Sequence, residues 1–410
     1  RLASSWSRVT LFPAVWATLW CTFSYINPVG HLATWSPADN VDAYNWLAPY
    51  LGPAGKDWLV AAWAVVISET ITQWFMEENE GEYTPLLATS TSDNSLHSNK
   101  TATRGLAAFL AVLLVPYCIS TNFPLPVSDI DIITPISVAC VLPSFQKYQK
   151  HTLGLNDYIA ESKTVAGLAS IILWPEGAVT FKSAEERDSA FQEIRKITGT
   201  YVGVSFEETV ANPDDPTGHQ SVTRTGLAVL SSREKEPLLT YYKRHLVPVA
   251  ESYRLHHSTL KPTLVDVELT RPKYIPGEKW GSAPNLKYRP LSITSSICLD
   301  FAMPTPFEAL KGRPGLILAP ARTWESTVGN AMWLQAKQRA AELDSMILWC
   351  DGGEGGVSGV AGGGFNDVTQ VGSGTFVRTI AIPHPFDARR TFYARFGELS
   401  LVLFWILVIG

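Results

Sequence analysis

The segment SIILWPEG, residues 170–177, places a short apolar run directly before a tryptophan, a proline and a glutamate. Short apolar runs rich in isoleucine and leucine are typical of a buried β-strand. Glu176 therefore stands at the end of a predicted strand. Because the strand ends of an α/β sheet are where functional side chains assemble, this segment indicates both a type of fold and the place of a site.

The sequence on either side of this segment alternates between strand and helix patterns. DIDIITPISVACVL (129–142) and TYVGVSF (200–206) predict two further strands. Helix signals lie between the strands: an apolar stripe over 155–165, and a capping box in which Ser183 is followed by Glu186. This βαβα order predicts an α/β domain.

Four apolar runs flank this domain, at 9–26, 58–75, 105–120 and 399–409. A spanning helix needs about 20 apolar residues to cross about 30 Å of hydrocarbon. The first three runs are close to that length and predict transmembrane helices, and the last predicts the start of another. The alternative is a set of buried core helices in a large soluble protein.

The sequence therefore predicts three parts. Residues 1–127 form a membrane domain with about three transmembrane helices and a polar, solvated loop at 76–104. Residues 128–397 form the α/β domain, and residues 398–410 begin a C-terminal transmembrane helix. Because the chain starts with Arg1 and ends inside an apolar run, we expect it to be a fragment that lacks earlier spans.

The composition excludes several classes of protein. With 46% hydrophobic and only 17% charged residues in 410, the chain is not intrinsically disordered. A mean hydropathy of +0.06 is too low for a chain that is all membrane spans. The net charge of −5 supplies no broad basic surface, so no nucleic-acid partner is expected.

The spacing of the cysteines does not indicate a disulfide framework. They number five and are widely spaced, at positions 21, 118, 140, 298 and 350. Without a CxxC pair, neither a disulfide scaffold nor a zinc ribbon is indicated, and no metal or cofactor is expected. Cys350 is the one rival to Cys298 as a nucleophile. The glycine-rich stretch 352–364 lacks GK[ST], so it is no phosphate loop and predicts turns or a flexible loop near the site.

Three segments contain side chains that can take part in catalysis. WPEG contains Glu176, YKRHLVP (242–248) contains Lys243, and ICLD (297–300) contains Cys298. A thiol attacks a carbonyl group as a thiolate, so it needs a general base. A fixed ammonium group stabilises the oxyanion that forms.

Singly, each of these side chains is more often a surface or packing residue. Together and in this order they predict acyl-enzyme chemistry through a thioester. Water as the acceptor gives a hydrolase, and an amine as the acceptor gives an N-acyltransferase.

These segments resemble the three signature blocks of the nitrilase, or carbon–nitrogen hydrolase, superfamily. KRHLVPVAE (243–251) is similar to the KxHLVPFGE block of the apolipoprotein N-acyltransferase family, and TFYARFGE (391–398) resembles that family's TxYxRFGD end. The resemblance covers nearly the whole chain. It implies an α/β fold, the αββα sandwich of the nitrilase type, joined to α-helical transmembrane segments.

The resemblance also implies roles for single residues. Glu176 is the general base, Lys243 stabilises the tetrahedral intermediate, and Cys298 is the nucleophile. Glu251 orients the lysine and the base. The reaction moves a fatty acyl chain from a membrane phospholipid to the amino group of a lipoprotein, without a cofactor.

Some positions depart from the family pattern. Val249 and Ala250 replace Phe-Gly, and Leu299-Asp300 replaces Tyr-Glu, so contacts of Asp300 beside the site are expected to shift. Of the NDAWF block only Trp324 remains, a candidate binding residue. These departures leave the amine acceptor open and fit a divergent, eukaryotic or fungal, relative. A membrane-tethered amidase of small amides and an inactive scaffold are the alternatives.

Charge flanking the spans predicts the side of the membrane. Basic residues on one side of the predicted spans are Arg1, Arg8, Lys100 and Arg104, against Lys56 on the other. The positive-inside rule then places the α/β domain on the extracytosolic side. The three arginines at 389, 390 and 395 point the other way.

Overall fold

The computed structural model describes residues 4–80, 91–119, 132–144, 152–212, 215, 217, 219–272, 275, 280, 288–362 and 365–409. The chain divides into two compact units. The first comprises Arg1–Asn27, Ala33–Thr121 and Phe392–Gly410, and the second comprises Pro28–Leu32 and Asn122–Thr391. The second unit thus includes a short segment that follows the first apolar run, and it ends at Thr391 rather than at the predicted limit of 397.

The helices, in chain order, are α1 (Ser5–Ile26), α2 (Ala48–Glu80), α3 (Thr91–Cys118), α4 (Leu155–Val165), α5 (Ala184–Ile194), α6 (Ser326–Leu343), α7 (Phe392–Phe396) and α8 (Leu399–Ile409). Short 3-10 helices cover Gly30–Ala33, Pro37–Asn40, Asp42–Leu47 and Cys298–Ala302. The strands are β1 (Ile133–Cys140), β2 (Ile171–Leu173), β3 (Val179–Phe181), β4 (Tyr201–Ala211), β5 (Ser221–Ser231), β6 (Leu239–Tyr242), β7 (Val265–Thr270), β8 (Tyr288–Ser295), β9 (Leu316–Ala321), β10 (Met346–Asp351), β11 (Val357–Gly362), β12 (Phe365–Val371) and β13 (Phe376–Pro383).

The first unit is helical. Within the described residues, three helical stretches are long and apolar enough to cross a membrane: Ser5–Ile26, Asp42–Phe75 and Lys100–Cys118. They correspond to the three apolar runs predicted before the α/β domain. The fourth run forms α8, which is shorter.

Aromatic and hydroxyl side chains join α8 to the other helices of this unit. The rings of Trp58 and Phe404 stack with centroids 5.3 Å apart. The indole N–H of Trp405 donates to Thr18 Oγ1 at 3.0 Å, and the Ser400 hydroxyl donates to the Leu51 carbonyl at 2.9 Å. These contacts fix the last helix of the chain against α1 and α2.

The predicted loop at 76–104 is wrong over most of its length. Helix α2 continues to Glu80 and α3 begins at Thr91, while residues 81–90 lie outside the described residues. Once a helix is nucleated, each added residue gains a backbone hydrogen bond at low entropic cost. Long apolar helices can therefore extend into a neighbouring polar segment whose composition alone suggests a loop.

The second unit has a mixed α/β fold built on two sheets. In the described residues the first sheet has the order β13-β1-β2-β4-β5-β6, with β3 also paired to β4, and the second has the order β12-β11-β10-β9-β8-β7. The central pairs β1–β2, β2–β4, β8–β9 and β9–β10 are parallel, and the outer pairs are antiparallel. Glu176 follows the parallel strand β2 and Cys298 follows β8, which pairs parallel with β9, whereas Lys243 follows the antiparallel edge strand β6.

Side chains alternate between the two faces of each strand, so one face of the first sheet packs against helices and the other packs against the second sheet. Tyr158 of α4 packs on Trp174 with ring centroids 5.1 Å apart, and Phe191 of α5 packs on Phe206 at 5.6 Å. On the second sheet, α6 lies against β10 and β11. Strands β1 and β10 contact each other between the two sheets. The layers therefore run helix, sheet, sheet, helix.

Several predicted elements are confirmed. The strands predicted at 129–142, 170–175 and 200–206 are β1, β2 and β4, and the apolar stripe over 155–165 is α4. At the start of α5, the Ser183 hydroxyl oxygen accepts the Glu186 backbone N–H at 3.2 Å. This is the hydrogen bond that the capping box predicts.

A disulfide corrects the prediction that the cysteines form no bridge. Cys140 at the end of β1 and Cys350 in β10 are bonded, with Cα atoms 5.5 Å apart and 210 residues between them in sequence. Both side chains are fully buried, and the bond joins the two sheets. Cys350 is thereby excluded as the rival nucleophile. No local spacing pattern could reveal the pair, because its partners meet only through the fold.

The glycine-rich stretch 352–364 is also different from the prediction. It contains strand β11, and residues 363–364 lie outside the described residues. A Cβ atom on Gly353 would lie 1.5 Å from the Thr323 carbonyl oxygen, and one on Gly359 would lie 2.1 Å from the Asp367 carbonyl oxygen. These glycines are needed because backbones approach closely, rather than to make a flexible loop.

We predict that the number of cysteines that can be labelled in the denatured protein depends on whether the protein has first been reduced. Without reductant, maleimide should label Cys21, Cys118 and Cys298 only, and after reduction it should label all five cysteines. Cys140→Ser should lower the free energy of unfolding by about 2–5 kcal/mol, because the bond closes a long loop. Mass spectrometry and thermal unfolding measure both results.

Cys118→Ser, which removes an exposed free thiol, serves as the control and should leave stability unchanged. Labelling of five thiols before any reduction, with Cys140→Ser as stable as the control, would contradict the disulfide.

Candidate active site

Glu176 lies where the first sheet approaches the second. It follows β2, and its backbone N–H donates to the carbonyl of Ala321 at the end of β9, at 3.2 Å. The next residue, Gly177, has φ +60°, a conformation that glycine adopts without steric cost. The turn therefore directs the Glu176 side chain into the protein, where only 6% of the residue is exposed.

Lys243 lies directly after β6 and is 1% exposed. Its ammonium nitrogen is 2.7 Å from Oε1 of Glu176 and 2.7 Å from Oε1 of Glu251. Because an ammonium group has three N–H donors, these two bonds leave one donor for a further oxygen. The lysine is thus held between two carboxylates while keeping a hydrogen-bond donor to offer.

Cys298 begins the 3-10 helix that follows β8, with φ +44° and 6% exposure. Its thiol interacts with the Glu176 carboxylate. The backbone N–H of Arg322 donates to its sulfur. The structure therefore brings Glu176, Lys243 and Cys298 together from three strand ends, although they lie far apart in sequence.

Burial and the neighbouring charges set the protonation of this group. Burial raises the pKa of Glu176 from 4.5 to about 7, against the opposing effect of the Lys243 ammonium. Burial, followed by the negative charge of Glu176, raises the pKa of the Cys298 thiol well above its ordinary value. Burial acts to lower the pKa of Lys243, but the surrounding anionic groups raise it, so the ammonium stays charged.

This arrangement suits a proton transfer between thiol and carboxylate. Oε1 of Glu176 accepts from Lys243, whereas Oε2 is buried and has no partner within hydrogen-bond geometry among the described residues. Oε2 is therefore available to accept a proton from the thiol. A base with a pKa near 7 is well matched to general base catalysis at neutral pH.

Asp300 ties the segment after Lys243 to the turn that carries Cys298. It is fully buried and accepts the hydroxyl of Tyr241 at 2.7 Å and the backbone N–H of His245 at 2.8 Å. It accepts further N–H groups of Arg244 and Ile297. The Asp300 carboxylate therefore accepts hydrogen bonds both from the segment after Lys243 and from the turn that carries Cys298. This is the residue at which the sequence predicts shifted contacts.

Glu251 and Trp324 differ in their placement. Oε1 of Glu251 accepts from Lys243, and Oε2 accepts the Val247 backbone N–H at 2.8 Å, so Glu251 holds the lysine to its own loop. Trp324 lies between β9 and α6 and is 62% exposed. Its role in binding, which the resemblance to the NDAWF block suggests, stays a prediction.

Sequence reasoning missed a contact made by Gly30. This residue, with φ +56°, belongs to the segment Pro28–Leu32 of the second unit. A Cβ atom at Gly30 would lie 2.3 Å from the carbonyl oxygen of Ala302, which ends the 3-10 helix begun by Cys298. The segment thus packs directly on the turn that begins with Cys298. A glycine between two apolar runs is too common a signal to reveal this contact.

Comparison with known proteins gives similar structures but no family. No protein-family model matches the chain, and no curated protein matches it. Nit3 of Saccharomyces cerevisiae, a member of branch 10 of the nitrilase superfamily, is 14% identical over 62% of this chain and 92% of its own, with a TM-score of 0.44.

Two further similar structures are an amidase and the NitFhit protein. A variant of the amidase from Nesterenkonia sp. AN1, which carries the acetamide moiety of fluoroacetamide on its active-site cysteine, is 18% identical over 69% of this chain and 100% of its own, with a TM-score of 0.40. The NitFhit protein of C. elegans is 15% identical over 60% of each chain, with a TM-score of 0.38. Because these TM-scores are below 0.5, the roles of residues follow only from this chain's own contacts.

We predict that alkylation of Cys298 by iodoacetamide accelerates with pH up to about pH 7. Below that value Glu176 is protonated and cannot take the thiol proton, so the rate should fall about tenfold for each pH unit. Glu176→Gln should slow alkylation at pH 7.5 by about 100-fold or more, because only the high-pKa thiol remains. Peptide mass spectrometry over a pH series gives both rates.

Glu193→Gln is the matched control, since Glu193 is an exposed partner of Lys196 and should leave the profile as it is. An unchanged pH profile in Glu176→Gln would show that another group deprotonates the thiol.

We also predict that Gly30→Ala slows alkylation of Cys298 by about 100-fold, because the added methyl group displaces the turn of the nucleophile by the order of an ångström. Gly199→Ala is the control. Gly199 has φ +84° but nothing within 4 Å of its Cβ position, so it carries the backbone strain without the contact. Equal effects of the two variants on rate and on thermal unfolding would refute a positioning role for Gly30.

Proposed function

We propose that this chain is a membrane-bound N-acyltransferase of the nitrilase type, which moves a fatty acyl group from a phospholipid to an amine through a thioester on Cys298. The observation that carries the proposal is the buried contact of Lys243 with Glu176 at 2.7 Å, beside a thiol that interacts with the same carboxylate. Metal-free acyl transfer needs a nucleophile, a base and an oxyanion donor, and these three side chains supply them.

The first half-reaction forms the thioester. Glu176 takes the thiol proton as the sulfur of Cys298 bonds to the ester carbonyl carbon of the phospholipid. The carbonyl oxygen becomes an oxyanion, and the free N–H donor of Lys243 stabilises it; such a donor contributes about 100- to 1000-fold to kcat. The C–O bond to the lysophospholipid then breaks, and the leaving alkoxide takes the proton from Glu176.

The second half-reaction transfers the acyl group to the acceptor. An amine bonds to the thioester carbonyl carbon, and Glu176 takes a proton from it. Collapse of the intermediate breaks the C–S bond, and the leaving sulfur recovers the proton from Glu176. The products are an amide and the free thiol. A lipoprotein with a diacylglyceryl-cysteine end is the acceptor that the resemblance to KRHLVPVAE suggests.

The helical unit supports a location at the membrane. Three of its stretches are long and apolar enough to span a bilayer. Large apolar side chains on them are exposed, among them Phe12, Leu19, Phe109 and Val112. Exposed apolar surface of this kind is unfavourable in water and suits contact with lipid. Both proposed substrates also reside in a bilayer.

The disulfide supports placing the α/β domain on the extracytosolic side. Disulfides persist in oxidising compartments and are rare in the cytosol. The Cys140–Cys350 bond joins the two sheets that carry the site, so the domain depends on the redox state of its compartment. The distribution of basic residues around the spans favours the same side.

A membrane-tethered amidase is the second candidate. The open Oε2 of Glu176 can take a proton from water as readily as from an amine. The same thioester would then be hydrolysed, and the substrate would be a small amide rather than a phospholipid. The two candidates share the first chemical step and differ in what discharges the thioester.

The test is to incubate the purified full chain with vesicles of phosphatidylethanolamine that carry a labelled acyl chain. We expect the acyl mass on the peptide that contains Cys298, and none in Cys298→Ala. A diacylglyceryl-cysteine peptide should then discharge the adduct and receive the acyl chain as an amide. Intact-peptide mass spectrometry follows each species.

Cys118→Ala controls for chemical acylation of an exposed thiol and should keep the adduct on Cys298. Discharge to free fatty acid, with no amide formed, would favour the hydrolase. Failure of any acyl donor to label Cys298 would refute both candidates and leave the inactive scaffold.

A further inference from the structure

Arg322 is placed at the candidate site by its backbone. It is the first residue after β9, and its N–H donates to the sulfur of Cys298. The preceding residue, Ala321, accepts the backbone N–H of Glu176. The position of the Arg322 Cα atom is therefore fixed relative to both the nucleophile and the base.

The side chain of Arg322 extends along the same edge. The residue is exposed, and its Nη1 lies 3.9 Å from the point where a Cβ atom on Gly177 would stand. Gly177 directly follows Glu176. The guanidinium group is thus beside the base, at the point where the buried site meets the surface.

No carboxylate neutralises this guanidinium within the part of the chain that the structure describes. Glu207 lies on the same edge, with Oε1 3.5 Å from the same Cβ position. Both of its oxygens are occupied by Arg254, at 2.9 Å and 3.0 Å. The carboxylate of Asp351 is likewise held by the N–H and hydroxyl of Thr323. Neither Glu207 nor Asp351 forms an ion pair with Arg322 in the described part of the chain.

We propose that Arg322 binds the anionic group of the acyl donor, and that this group is the phosphodiester of a glycerophospholipid. This inference rests on the proposed function and names the feature of the donor that the site selects. A guanidinium offers five N–H donors in a planar fork that matches two phosphate oxygens. In a glycerophospholipid only a few covalent bonds separate the ester carbonyl from the phosphate. With the carbonyl carbon at the Cys298 sulfur, the phosphate of the same molecule can reach the Arg322 side chain.

The experiment compares two acyl donors that carry the same acyl chain. One is a phosphatidylethanolamine, and the other is an uncharged p-nitrophenyl ester without phosphate. KM and kcat for acylation of Cys298 are measured for the wild-type chain and for Arg322→Gln, Arg322→Lys and Arg233→Gln. Arg233 is a partly exposed arginine on the turn after β5, and its variant is the matched control.

Arg322→Gln should raise KM for the phospholipid about 10- to 100-fold, the range typical of a hydrogen bond to a charged group. It should change KM for the uncharged ester far less, because that donor offers no anion. Arg322→Lys should recover part of the affinity, since it keeps the charge but loses the fork. Inorganic phosphate at millimolar concentration should compete only weakly with the phospholipid.

Three results would overturn the inference. Equal losses on both donors would make Arg322 a structural residue. No loss on the phospholipid would remove it from donor binding while the proposed acyl transfer stands. Full protection by inorganic phosphate would mean that the site takes free phosphate rather than a lipid headgroup. Absence of any adduct on wild-type Cys298, with either donor, would instead refute the proposed function itself.

Discussion

The contact between Lys243 and its two glutamates is the interaction on which the candidate site depends. A buried ammonium group is stable only if carboxylates compensate for the hydration that it loses. Here Glu176 and Glu251 each lie 2.7 Å from it. Removing either carboxylate would leave a buried charge partly unpaired, which typically costs about 3–5 kcal/mol. The same contact that holds the lysine uses Oε1 of Glu176 and leaves the buried Oε2 without a partner among the described residues.

The fold holds these charges by bringing strand ends from two sheets to one place. Glu176 and Lys243 follow strands of the first sheet, whereas Cys298 and Arg322 follow strands of the second. A change in the spacing of the sheets would therefore separate Glu176 from Cys298. The disulfide between β1 and β10 and the contacts of Asp300 with the Lys243 loop oppose such a change. Rigidity of the layers is thus a requirement of the proposed chemistry, since acyl transfer tolerates little displacement of reacting atoms.

The parts of this structure that could be predicted are those encoded in local sequence. The strand before Glu176 and the helix capped by Ser183 follow from patterns within a few residues. The meeting of Glu176, Lys243 and Cys298 followed from the order of three segments and their resemblance to a family. The disulfide and the contact of Gly30 with Ala302 are different, because each joins positions that no local pattern relates. Long-range geometry of this kind emerges only from the packed fold.

The protonation states of Glu176 and Cys298 explain how one cysteine can react with a bound substrate and still be protected from oxidation and unspecific acylation. A thiol whose pKa is raised by burial is not a standing thiolate, so it resists oxidation and unspecific acylation. In the proposed mechanism it becomes a nucleophile only while an acceptor oxygen takes its proton, and Glu176, with a pKa raised to about 7, is ionised enough at neutral pH to do so. Nucleophile formation is thereby coupled to the attack on a bound carbonyl group. Such coupling would protect Cys298 in the oxidising compartment proposed for this domain, where a permanent thiolate would be exposed to thiol–disulfide exchange.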